Sequence, residues 1–153
     1  MSDFGERTVT FERLLNSPPD YVWRAWTNPD HLKLWFGPSG FDIPLCKIEP
    51  WVGGELYIVM RGPNGAEYPM KGVFREVVEL KRLVFTNIAL DKDGNHLLEG
   101  ETRILLEPVG AKQTRMTMWS YAKGLVPISP QMLAGMEAGW SQSLDKLFEL
   151  VNP

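Results

Sequence analysis

The sequence predicts an α+β fold: about seven short antiparallel strands, two short helices after the first strand, and one long C-terminal helix. Three observations carry that expectation. Between Phe41 and Tyr121 the pattern is strand, turn, strand, with turn residues at near-regular intervals. Toward the C-terminus, Met132, Met136, Trp140, Leu144, Leu147, Phe148 and Val151 recur every three or four residues, the period of an amphipathic helix. Ahead of both, the run from Pro18 to Pro38 packs Tyr21, Trp23, Trp26, Trp35 and Phe36 into two short helical phrases, each opened by proline.

The elements follow in order. Arg7 to Leu15 alternates Val9, Phe11, Arg13 and Leu15 against Thr8, Thr10 and Glu12, which predicts a first strand. Ser17 is the expected N-cap of the first helix, with Pro18 at the position where a missing N–H costs nothing. Asn28-Pro29-Asp30 restarts a second helix, expected to carry Leu32, Trp35 and Phe36 to its end at Gly37-Pro38. Strands are then expected over Ile43 to Glu49, Glu55 to Arg61, Tyr68 to Leu80, Lys81 to Leu90, Glu99 to Glu107 and Gln113 to Tyr121. Gly62-Pro63-Asn64-Gly65 and Asp91-Lys92-Asp93-Gly94-Asn95 supply turns, because Asn-Gly and Asp-Gly pairs tolerate positive φ. Ser129-Pro130 is the expected cap and first turn of the last helix. An antiparallel sheet with one buried face needs a cover, and that helix is the only element large enough.

Composition narrows the function. The chain has 153 residues, the size of one domain spanning residues 1–153, with 44% hydrophobic and 23% charged residues. A net charge of -3 and scattered Lys and Arg argue against nucleic acid as a partner. No apolar run reaches membrane-spanning length, and the N-terminus lacks a signal-peptide pattern, so a cytoplasmic protein is the default expectation. The lone cysteine, Cys46, sits in an alternating phrase and is expected to be a small, buried or half-buried apolar residue. Two isolated histidines, His31 and His96, and the absence of HExxH or Cys–Cys spacing argue against a metal or other cofactor. His31 is expected to serve helix packing or capping, and His96 to be exposed after its turn. No GxSxG elbow or phosphate-cradling loop appears.

The phrases Val22-Trp23-Arg24-Ala25-Trp26-Thr27-Asn28-Pro29-Asp30-His31-Leu32 and Trp35-Phe36-Gly37-Pro38 carry a resemblance. So do Gly53-Gly54, Gly72-Val73-Phe74, Arg82-Leu83-Val84-Phe85-Thr86, Thr114-Arg115-Met116-Thr117, and Gly139-Trp140 before Leu144-Asp145-Lys146-Leu147. In this order they resemble the SRPBCC (START/Bet v 1-like) superfamily, and within it the activator of Hsp90 ATPase homologue 1-like branch. The resemblance implies a helix-grip fold, a bent sheet wrapped around the C-terminal helix, commonly with an apolar cavity between them. Family members often read Trp-Trp-Gly where this chain has Trp35-Phe36-Gly37. Full Hsp90 activators carry a separate N-terminal domain, for which this sequence has no room.

Candidate site residues follow from which side chains face the interior. Trp35, Phe36, Met60, Phe74, Phe85, Asn87, Met118, Met132, Met136 and Trp140 are the candidate ligand-binding set. Methionines adapt to variable apolar contents, or serve as core filler. A pocket built from them is expected at roughly 300–1,000 Å³. Gly135 and Gly139 interrupt the helical stripe, either for close packing on the sheet or to leave room for a ligand. Asn87 is the best polar group for orienting a guest. Glu101 and Arg103 share one strand face and are read as a solvated outer ladder.

The leading expectation is a small-molecule binding protein whose ligand is a lipid, aromatic or polyketide-like molecule. One alternative is a cofactor-independent cyclase or dehydratase in the same cavity, with no catalytic residue identified. Another is an Hsp90-related or other protein-interaction module. A homodimer is a possible assembly.

Overall fold

A computed structural model describes residues 4–152. The strands are β1 (Glu6–Leu15), β2 (Asp42–Ile48), β3 (Glu55–Arg61), β4 (Glu67–Val78), β5 (Arg82–Leu90), β6 (His96–Val109) and β7 (Gln113–Gly124). The helices are α1 (Pro19–Thr27), α2 (Pro29–Leu32), α3 (Ser129–Ala134) and α4 (Met136–Val151). All seven strands form one curved antiparallel sheet in the order β1-β7-β6-β5-β4-β3-β2. The chain winds through β2 to β7 as a meander, and β1 closes on β7. This is the helix-grip arrangement.

Several local expectations are corrected. The terminal helix is two pieces, because the chain turns at Gly135 (φ -88, ψ -4), whose N–H bonds back to Met132 in a tight three-residue turn. Glycine's poor helix propensity lets the α pattern lapse there. Ser129 does not cap α3; Ile128 takes that position. The Ser129 hydroxyl is instead buried, accepting from the Leu125 and Val126 N–H groups at 3.1 and 3.0 Å and donating to the Leu97 carbonyl at 2.7 Å. Ser17 likewise yields the cap to Pro18 and is buried, its carbonyl accepting from Thr114 Oγ1 at 2.7 Å. Helix α2 stops at Leu32, and Trp35 and Phe36 follow in turns. Asn28 does cap it, accepting from the Asp30 N–H at 2.9 Å.

Between β4 and β5, Leu80 adopts φ 67, a left-handed turn that the sequence does not signal because Leu is a poor residue for it. Strand β6 starts three residues earlier than expected and β7 runs three residues further. His96 therefore begins β6, half-exposed, with Nδ1 2.8 Å from Glu99 Oε2. Cys46 is half-buried and free, and burial pushes its thiol up to about 11.

The core sits between the sheet and the helices. Trp26 and Trp35 meet edge to face at 4.7 Å, and Trp35 also meets Phe36 at 5.7 Å. Both indole N–H groups are taken, Trp35's by the Ala25 carbonyl at 2.9 Å and Trp26's by Met116 Sδ at 3.4 Å. Trp26 also ties α1 to the sheet, through Met116 on β7 and Phe85 on β5, the latter 6.4 Å away.

Candidate functional site

The register of β5, β6 and β7 lays inward-facing side chains in cross-strand rows, and their size falls along the strands. One row is Leu83, Ile104 and Met118; the next is Phe85, Thr102 and Ser120. Then come Asn87, Gly100 and Ala122, and finally Ala89, Leu98 and Gly124. The first row is packed solid, with each member at most 2% exposed. The later rows are too small to fill the space beneath α3 and α4, and a cavity of about 220 Å³ remains. That is smaller than the expected volume, because Trp26, Trp35 and the large side chains of the first rows fill the neighbouring part of the interior.

The floor of the cavity is Asn87, Ala89, Leu98, Ser120 and Ala122, with Met60 and Met70 from the neighbouring strands. Phe36, Gly37 and Pro38 form one side. Met132, Met136, Gly139, Trp140 and Ser143 close it from the helices. Two contacts clasp the side wall to α4: Lys146 Nζ donates to the Pro38 carbonyl at 3.2 Å, and the Ser39 N–H donates to Gln142 Oε1 at 3.0 Å. Burial holds the Lys146 ammonium below its ordinary pKa.

Of the ten candidate residues, Phe36, Met60, Asn87, Met132, Met136 and Trp140 line this cavity. Trp35, Phe74, Phe85 and Met118 do not; they are 0–4% exposed and belong to the solid core. Phe85 contacts Phe74 at 5.9 Å and stands behind the floor rather than in it. Phe74, Phe85 and Met118 stand toward the large-residue end of their strands, and Trp35, in the turns after α2, packs against Trp26 instead. Gly139 has room around it: a Cβ added there would meet only Pro38 Cγ at 3.7 Å, an ordinary contact. Close packing of helix on sheet does not account for this glycine.

Thr102 and Ser120 were not among the candidates. Both are fully buried, and they extend Asn87 into a polar ladder, with Thr102 Oγ1 2.8 Å from Asn87 Oδ1 and 2.9 Å from Ser120 Oγ. Period-two alternation could have found them, since Thr102 shares a face with Ile104 and Leu106, and Ser120 with Met116 and Met118. Glu101 and Arg103 lie on the outer face as expected, paired at 3.0 Å, with Arg103 over the Trp119 ring at 4.4 Å. His31 is half-buried beside a separate surface groove of about 730 Å³ between α1, α2 and the end of α4. Among the described residues, no three His, Cys, Asp or Glu side chains gather as a metal would require. No helix among them is long and apolar enough to cross a membrane.

A curved antiparallel sheet gripping a C-terminal helix, with a hollow between them, defines the START-like helix-grip class. Residues 16–152 match the family model described as activator of Hsp90 ATPase homolog 1-like protein, and the chain belongs to that family. A crystal structure from Chromobacterium violaceum is 26% identical with a TM-score of 0.81, covering 95% of this chain and 97% of that one. One from Nitrosomonas europaea is 32% identical with a TM-score of 0.74, covering 94% and 92%. The AHSA1 protein from Silicibacter pomeroyi, 23% identical with a TM-score of 0.76 over 94% and 96%, shares the fold. Comparison with curated proteins finds no match.

Proposed function

We propose that this protein binds a small, largely apolar molecule in the cavity between the sheet and α3–α4. The carrying observation is the cavity of about 220 Å³, whose surface is Met, Trp, Phe, Leu, Ala, Pro and Gly apart from Asn87 and two serines. Such mostly apolar concavities with few polar groups are the usual form of small-molecule sites. The superfamily commonly binds hydrophobic ligands, which supports the same reading. Scaling from the 150 Å³ engineered cavity that takes benzene, one heavy atom needs about 25 Å³, so the guest has about nine. A single-ring aromatic or a short acyl chain has that size; a polyketide or a long-chain lipid exceeds it.

Thermal shift across a panel of small aromatics and short acyl compounds tests this. A ligand at 100 times its dissociation constant adds about 2.7 kcal/mol of stability. No shift with any member would end the proposal. For the cyclase or dehydratase alternative, no Asp, Glu, His, Cys, Lys, Arg or Tyr among the described residues is in the cavity lining, which leaves that chemistry without a general acid or base there. The interaction alternative has one observation in its favour. Tyr21, Leu34 and Leu150 stand 54%, 61% and 42% exposed around the surface groove. Pulldown with an Hsp90 chaperone, with Tyr21→Ser and Leu34→Ser as controls, tests it; no capture removes it.

A further inference from the structure

We propose that the ligand carries a neutral carbonyl oxygen that accepts a hydrogen bond from the Asn87 side-chain amide; this rests on the cavity reading above. The argument is a proton count. Four lining residues have polar side chains: Asn87, Ser120, Ser143 and Trp140. The Ser143 hydroxyl donates to the Gly139 carbonyl at 2.9 Å, within its own helix. Thr102 has one hydroxyl proton and gives it to Asn87 Oδ1, so the proton between Thr102 and Ser120 comes from Ser120. Both serine protons are therefore taken.

Asn87 Oδ1 is fixed as an acceptor by Thr102, which leaves the two Nδ2 protons with no protein acceptor among the described residues. The Trp140 indole N–H is likewise unmatched. Neither is a buried orphan, since no buried side-chain N or O among the described residues lacks a partner. Asn87 is half-buried, so its amide reaches solvent through the cavity it lines. Gly100 stands opposite Asn87 in the register and puts no side chain over it. The ladder thus holds the amide with its donors toward an otherwise apolar hollow, a site that selects for an acceptor. No cation among the described residues lines the cavity, so a carboxylate would be desolvated without a counter-charge. A ketone, aldehyde or ester of about nine heavy atoms fits both size and polarity.

Acetophenone and α-methylstyrene test this, being molecules of the same heavy-atom skeleton that differ by C=O against C=CH2. Dissociation constants are measured by NMR titration of the wild type and of Asn87→Leu, which keeps the side-chain shape and removes both N–H groups. The expected result is acetophenone weakened about tenfold in the variant with α-methylstyrene changed less than about twofold, the size of one hydrogen bond. The Asn87 side-chain amide protons of the wild type move further downfield with acetophenone than with α-methylstyrene, which acts on them through its ring current only. Retained α-methylstyrene binding shows that the variant cavity is intact. Should Asn87→Leu fail to fold, Asn87→Ala removes the same donors without adding a charge, and the same change in the ratio of the two dissociation constants is expected. Equal losses of both probes, or an unchanged ratio, would overturn the carbonyl inference and leave the cavity standing. Failure of acetophenone to bind the wild type overturns the carbonyl inference, and failure of every member of the panel above overturns both proposals.

Discussion

Replacing Gly139 by alanine is expected to stabilise this protein, although glycine stands there in the natural sequence. Helix α4 has Gly139 in its first turn, where the backbone is helical and alanine is preferred by about 1 kcal/mol. The added Cβ meets nothing nearer than Pro38 Cγ at 3.7 Å, so no overpacking opposes that gain. With an unfolding entropy of about 0.3 kcal/mol/K for a chain of this length, Tm rises by about 3 °C. Circular dichroism melting reads it directly. Gly139→Leu extends the same argument to binding: four carbons at about 25 Å³ each would fill roughly half the cavity and abolish ligand-induced shifts. If Gly139 instead existed to let the helix approach the sheet, alanine would cost about 1–3 kcal/mol and Tm would fall. A lower Tm for Gly139→Ala therefore refutes the idea that the glycine leaves room for a guest.

Gly100→Ala should behave in the opposite way, since its Cβ would fall 1.8 Å from the Tyr121 carbonyl oxygen and β6 would have to shift from β7. A loss of about 3 kcal/mol or more in urea unfolding is expected, and near-wild-type stability would show that the strands approach less closely. Ser129→Ala removes the hydroxyl that serves Leu97, Leu125 and Val126, costing about 2 kcal/mol and loosening the start of α3 over the cavity; an unchanged melting curve would contradict this. Cys46 should alkylate slowly. Burial raises its pKa from 9.0 to about 11, so at pH 8 its thiolate fraction is about 100-fold below that of an unburied cysteine. Raising the pH toward 11 should restore the rate with iodoacetamide, and fast labelling at pH 8 would refute the burial.

Much of the architecture was legible in local signals. The alternation of Val9, Phe11 and Leu15 marks β1, and the turns at Asn64-Gly65 and Asp93-Gly94 mark hairpins, because period and turn chemistry act over a few residues. The break at Gly135 was harder to see. Met132 and Met136 keep helical spacing through it, and a single tight turn leaves the apolar period nearly unchanged. The burial of Ser17 and Ser129 also went unread, since a serine before proline has the same local pattern whether it caps a helix or serves a distant carbonyl.

The candidate site divides along similar lines. Met132, Met136 and Trp140 reach the cavity because their helix face was readable from spacing alone. Trp35, Phe74, Phe85 and Met118 are just as apolar and just as inward, yet they fill the core. What separates Phe74, Phe85 and Met118 from Asn87 and Ala89 is distance along the strands, and that acquires meaning only when neighbouring strands are aligned. The chain by itself determined the element types, the inward faces and the family. Only the tertiary structure decided where the hollow lies, because a cavity forms where small side chains from three strands fall in register beneath one broken helix. Register is a relation between segments far apart in sequence, and a slip of one residue would turn Asn87, Thr102 and Ser120 to the other face.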